Sequence, residues 1–183
     1  PQNSKRCLRV DWGAAMLGNY SVAVAFCELI WYVPDAMGIV NLSRIAESDE
    51  HEGIRLTQKS VRINMIATLV LVVGFYFCSQ PAITLLYGTP FEAAIPAVYW
   101  LLPGVWAMGF SKVISKYFSG RGKPEINTLT SFASSMATIT LCFLLIPQYG
   151  ICGAALASSI AYLLRATLDI IIFLKMTQTL PNK

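Results

Sequence analysis

The sequence predicts an all-α protein, a polytopic transmembrane helical bundle of about five transmembrane helices, and three observations lead there. First, 55% of its 183 residues are hydrophobic and only 13% are charged, where a soluble domain carries roughly 25% charged residues. The apolar residues fall in blocks long enough to cross a bilayer. Second, between Leu144 and Ala157 two such blocks meet over Pro147-Gln148-Tyr149-Gly150, a turn without charge. Beyond it small residues recur every fourth position, as Gly150/Ala154/Ser158, Gly153/Ala157 and Ala155/Ser159. That spacing lets helix backbones approach closely in lipid, where packing replaces the hydrophobic effect. Third, the connecting segments alternate between basic and charge-poor. Topology thus accounts for the net charge of +4, and no basic-aromatic patch supports a nucleic-acid partner.

Residues 1–17, with Lys5, Arg6, Arg9 and Asp11, read as the remnant of a preceding helix or loop. The chain opens at Pro1 without Met or a cleavable apolar leader, so the expectation is a fragment of a longer protein, partnered by that protein's N-terminal helices. Residues 18–183 form the C-terminal transmembrane bundle. Its first helix, about 18–42, is apolar apart from Glu28 and Asp35, and Pro34 should kink it or break its hydrogen-bond ladder. A polar connector from 43 to 60 follows, with enough amphipathic character (Ile45, Ile54, Leu56) to lie at the membrane surface. The second helix, about 61–87, has an uncharged centre, and Gly88 suits its end. Thr89-Pro90-Phe91-Glu92 then reads as a capping box with proline at N1. The third helix, 91–118, should bend at Pro103-Gly104 and ends in the basic hairpin Gly120-Arg121-Gly122-Lys123. Pro124 and Glu125 open the fourth, 126–146, where Asn127, Ser131, Ser134 or Ser135, and Thr138 make a polar stripe that should point into the bundle. The fifth, 151–174, carries Arg165 and Asp169.

Alternating the loops puts Arg44, Arg55, Lys59, Arg62, Lys112, Lys116, Arg121, Lys123, Lys175 and Lys183 on one side, against Lys5, Arg6 and Arg9 on the other. The positive-inside rule makes the first side cytoplasmic. The expected location is the cytoplasmic membrane of a bacterial or archaeal cell. Five crossings with an external start again imply helices upstream. Cys7, Cys27, Cys78, Cys142 and Cys152 show neither metal nor disulfide spacing and read as small packing residues. No cofactor, metal site or catalytic residue is implied.

Several phrases carry a resemblance when taken in order: Leu17-Gly18-Asn19-Tyr20-Ser21, Glu28-Leu29-Ile30-Trp31 with Pro34-Asp35-Ala36, Leu86-Tyr87-Gly88-Thr89-Pro90-Phe91, Leu101-Leu102-Pro103-Gly104, Gly120-Arg121-Gly122-Lys123-Pro124 and Leu145-Ile146-Pro147-Gln148-Tyr149-Gly150. Together they resemble the C-terminal half of polysaccharide flippases in the multidrug/oligosaccharidyl-lipid/polysaccharide exporter superfamily, over about residues 9–174. The resemblance implies a transporter of 12 to 14 helices, built as two bundles rocking around a cavity, of which this chain supplies about helices eight to twelve. It implies as substrate an oligosaccharide on a polyprenyl pyrophosphate, moved from the inner to the outer leaflet. One departure stands out. The family's Arg-x-Asp helix lies well ahead of the Gly-x-Tyr-Ser phrase, whereas Arg9-Val10-Asp11 precedes Gly18 too closely for a full crossing.

Ionisable residues within the membrane are costly and are therefore the site candidates. Glu28 and Asp35, seven apart, could form an H⁺ or Na⁺ coupling site, or be ordinary polar contacts. Arg165 and Asp169 are spaced to neutralise one another; alternatively Arg165 binds the pyrophosphate, for which a guanidinium fork is well shaped. Lys112 and Lys116 could recruit the anionic headgroup or merely anchor a helix at anionic lipid, and Arg9 joins them as a substrate-binding candidate. The 120–123 hairpin lacks full Walker spacing and reads as a tight turn, and His51 reads as solvated. Prolines 34, 96 and 103 would allow bending during alternating access, or only shape static helices. The other readings are a cation-coupled multidrug antiporter and an integral-membrane glycosyl- or prenyl-transferase. The transferase would need clustered acids, and the Glu47–Glu52 run looks instead like a surface connector; the expectation is a transporter, not an enzyme.

Overall fold

Inside a bilayer every backbone N–H and C=O must be satisfied within the protein, which makes the helix the natural spanning element. The computed structural model describes residues 14–178, and every element in that range is helical. Helix α1, Ala14–Glu28, leads through a 3-10 turn, Leu29–Trp31, into α2, Tyr32–Glu47. Helix α3 is Glu50–Tyr87, and a 3-10 segment, Thr89–Ala94, leads into α4, Ile95–Gly120. Helices α5, Pro124–Tyr149, and α6, Ile151–Gln178, complete the order. Among the described residues five stretches are long and apolar enough to cross a membrane: Met16–Glu47, Glu50–Tyr87, Thr89–Gly120, Pro124–Tyr149 and Ile151–Gln178.

Three local expectations change. The 43–60 segment is not a connector: only Ser48 and Asp49 separate α2 from α3. Its apolar residues are used for packing, since Ile45 and Ile54 are buried in one cluster with Ile114, Tyr117 and Phe118 of α4. Glu50 and Glu52 fall in the first turn of α3, where acids complement the helix dipole. Thr89 does not cap; Gly88 holds that position without a side-chain bond. The 3-10 segment starts one residue earlier than expected, with Phe91 N–H donating to the Gly88 carbonyl at 3.2 Å. Helix α4 carries Pro103 inside one unbroken helix, which a proline bend does not interrupt. Among the cysteines, Cys27, Cys78 and Cys142 are free, but Cys152 is disulfide-bonded. The Pro34 break, by contrast, takes the form of the 3-10 turn before it. Pro34 itself stands in the first turn of α2, where its missing N–H costs little.

Helix α4 is the centre of the bundle, with fifteen buried residues against two in α5. Its close neighbours are admitted by small residues. A Cβ on Gly104 would lie 2.5 Å from Ser159 Cα on α6, and Gly153 of α6 packs directly on the Leu145 carbonyl of α5. The 144–157 hairpin is thus a tight helical pair, turned by Gly150 at a φ of 58°, which favours glycine. At one end of the bundle Arg121 Nη1 donates to the Ser48 carbonyl at 2.9 Å, and Nη2 donates to that of Asp49. The α2–α3 and α4–α5 turns therefore lie together. At the other end Ile83, Ala94 and Ile151, beside the remaining two turns, share one buried cluster. The loops alternate between two ends, as their charge predicts.

Candidate functional site

A seam runs between α1/α2 on one side and α6 on the other, with α4 as its floor. Ser158, Tyr162, Arg165 and Asp169 stand on one face of α6, spaced by four, three and four residues. At about 1.5 Å rise per residue the strip is about 16 Å long. Towards the charge-poor end Tyr20 of α1 and Ser158 share a hydrogen bond of 2.8 Å. Midway, Trp31 meets Tyr162 edge-to-face at 5.5 Å between ring centroids. The 3-10 turn places the Trp31 ring so that Nε1–H donates to the Val105 carbonyl at 3.2 Å, which fixes the indole on the α4 floor.

Two ion pairs flank this aromatic contact. Lys112 Nζ donates to Asp35 Oδ2 at 2.7 Å, and the same ammonium lies 4.9 Å from the Trp31 ring centroid, a cation–π geometry. The pair joins α2 to α4, and its side chains keep 22% and 41% exposure. One residue earlier on α4, Ser111 Oγ donates to the buried Asp169 Oδ2 at 2.5 Å. Arg165 Nε stands 3.8 Å from that same oxygen, with 19% of its side chain exposed. The contact is coulombic, since at this distance no hydrogen bond forms, and Arg165 Nε and Asp169 Oδ1 make none elsewhere. Ser111 and Lys112 are consecutive, so one step of α4 links both pairs.

The sequence-derived candidates are now placed. Lys112 and Asp35, assigned to different roles, are partners. Arg165 and Asp169 are an i,i+4 pair. Glu28 ends α1 with an exposed side chain and takes no ion pair among the described residues. Lys116 lays its stem over Gly38, where a Cβ would meet its Cγ at 2.8 Å. Arg9 lies outside the described residues. On α5 the inward polar face runs through Asn127, Thr130, Ser134 and Thr138: Asn127 Nδ2 donates to the Ser115 carbonyl at 3.0 Å and Ser134 Oγ to that of Ala161 at 3.0 Å. Ser131 and Ser135 are less buried than Ser134. Trp31, Tyr162 and Ser111 were missed, because uncharged residues in apolar helices carry no sequence signal of their own. Among the described residues no group of acids, histidines and cysteines is arranged to hold a metal ion.

What this arrangement offers is two cations, Lys112 and Arg165, each facing a carboxylate and each still partly accessible. The family model described as lipid II flippase MurJ matches residues 36–183. Among curated proteins, an uncharacterized membrane protein of Methanocaldococcus jannaschii is 24% identical over 162 residues, a match covering 85% of this chain and 32% of the relative. The chain therefore spans about a third of that relative's length. No solved structure matches significantly.

Proposed function

The chain belongs to the lipid II flippase MurJ family, and from that premise we propose that it forms part of a transporter moving polyprenyl-pyrophosphate-linked saccharides across the cytoplasmic membrane. The substrate class combines a double negative headgroup, a sugar and a long apolar chain. The observation that carries the reading is the pair of partly accessible cations, Lys112 and Arg165, on either side of an aromatic contact in a multi-pass membrane protein. A pyrophosphate entering the seam would exchange Asp35 and Asp169 for its own oxygens, with the guanidinium binding two of them at once. Lys116, one turn along α4 from Lys112, would meet the headgroup first. Arg9, as part of the Arg9-Val10-Asp11 phrase, is proposed to add a further cation. Aromatic faces such as Trp31 and Tyr162 suit a sugar ring.

Ion coupling fits the two acids differently. Asp35 is held by Lys112, whereas Glu28 takes no ion pair among the described residues and is the better proton or Na⁺ acceptor. Transport needs no bond made or broken, so the reading assigns no catalytic residue or cofactor. The cavity requires the N-terminal helices of the full-length protein as its other wall. The saccharide is proposed to be an oligosaccharide for polysaccharide export, in a bacterial or archaeal host. Lipid II, which the family's description names, is the second member of the same substrate class.

The test is depletion of the full-length protein in its host, followed by extraction of polyprenyl-pyrophosphate glycans. Accumulation on the cytoplasmic face, rescued by wild type but not by Arg165→Ala present at equal membrane levels, supports the reading, and the glycan that accumulates identifies the cargo. Normal glycolipid with altered drug sensitivity would sink it and favour an antiporter.

A further inference from the structure

Away from the seam, a cleft of about 450 Å³ opens between α2 and α3 at the basic end of the bundle. Its walls are apolar, from Met37 and Val40 on α2 and from Leu56 and Ile63 on α3. Its back is closed by Asn41 Nδ2 donating to Ser60 Oγ at 2.7 Å. Arg44 and Lys59 stand at its mouth, and no acid lines it. Both cations are exposed, and neither takes an ion pair among the described residues.

The depth of this cleft follows from the sequence. Helix α3 has 38 residues, about 57 Å at 1.5 Å each, nearly twice the ~30 Å hydrocarbon core. It carries no charge from Ile63 to Tyr87, so that stretch occupies the core and Lys59, one turn below, stands in the headgroup layer. On α2 the stretch from Ala36 to Ser43 is likewise uncharged and Arg44 follows it. Two cations thus meet at the phosphate level, with apolar walls rising from them into the hydrocarbon.

We propose that this cleft seats one anionic diacyl phospholipid of the leaflet on the basic side. Its phosphate lies between Arg44 and Lys59, and one acyl chain lies along Met37, Val40 and Ile63. Charge complementarity selects the headgroup, because two unpaired cations over an acid-free cleft favour a lipid with net negative charge over a zwitterion. The seated lipid tethers the ends of α2 and α3, adding to the Asn41–Ser60 hydrogen bond at this level. The assignment is independent of the transport reading and uses none of the seam residues.

The experiment is native mass spectrometry of the full-length protein in nonionic detergent, titrated with dioleoyl phosphatidylglycerol or dioleoyl phosphatidylcholine. Wild type should retain phosphatidylglycerol preferentially, and the double variant Arg44→Gln/Lys59→Gln should bind it roughly tenfold more weakly. The control, Arg55→Gln/Arg62→Gln, removes two cations of the same end that do not line the cleft and should bind like wild type. All four residues are exposed, so the variants fold. Equal binding of the two lipids by wild type, or equal losses in both double variants, overturns the proposal. Displacement of phosphatidylglycerol by stoichiometric farnesyl pyrophosphate overturns it too, and would make the cleft a carrier-lipid site.

Discussion

A single methyl group at residue 104 is enough to push two helices apart. It would lie 2.5 Å from the Ser159 Cα, and a backbone atom cannot rotate away as a side chain can. Gly104→Ala should therefore lower stability by about 1–3 kcal/mol, the usual range for overpacking. Adding Ser159→Ala should not restore it, since the Cα remains. Thermal unfolding of the full-length protein with both variants measures this, and an unchanged midpoint for Gly104→Ala would mean that α4 and α6 are not in close contact. The Lys112–Asp35 pair calls for a smaller number. With 22% and 41% of the side chains exposed, a double-mutant cycle of Lys112→Met and Asp35→Asn should give a coupling of about 0.5–1 kcal/mol. Zero coupling would remove the pair from the seam. Both residues were legible beforehand as ionisable groups in apolar helices. Their partnership was not, because 77 positions separate them and no periodicity links α2 to α4. Arg165 and Asp169 announce themselves by i,i+4 spacing, but the Ser111 that holds Asp169 does not.

Between elements, the joint to test is Arg121. Its guanidinium holds the Ser48 and Asp49 carbonyls, lies 5.8 Å from the Tyr117 ring centroid, and occupies the space above Gly53 that a Cβ would fill. Arg121→Ala removes the donors, and Gly53→Ala displaces the side chain that carries them. The two substitutions should give the same result: amide exchange over 48–53 faster by about tenfold or more, the factor that loss of a charge-assisted hydrogen bond implies. Different exchange patterns in the two variants would show that the clasp does not hold the turn. The spans were legible because lipid leaves a chain few ways to satisfy its backbone. The helicity of 43–60 was not. Its charges read as a polar connector at the membrane surface, and the contact of Ile45 and Ile54 with α4 shows that the same residues form packed helix ends. Pro34 did mark the break that places Trp31.

For the whole molecule, the two ends are fixed by contacts, and sidedness rests on charge. The Arg121 clasp joins the α2–α3 and α4–α5 turns, while the turns at Gly88 and Gly150 lie at the opposite end beside Ile83, Ala94 and Ile151. Lys116 and Lys112 are on the Arg121 side of α4, within its last three turns. If that side is cytoplasmic, as its basic residues require, the cations of the seam face the leaflet from which the proposed substrate comes. Single cysteines in an otherwise cysteine-free full-length protein decide the matter. Thr89→Cys and Tyr149→Cys should react with a membrane-impermeant maleimide on intact cells. His51→Cys and Lys123→Cys should react only after permeabilisation, since all four positions are exposed at the ends of helices. The reverse pattern would put Lys112 and Lys116 towards the outer leaflet. Inward-to-outward transport would then lose its anion-gathering entrance, and a headgroup released outside would meet the cations it was meant to leave.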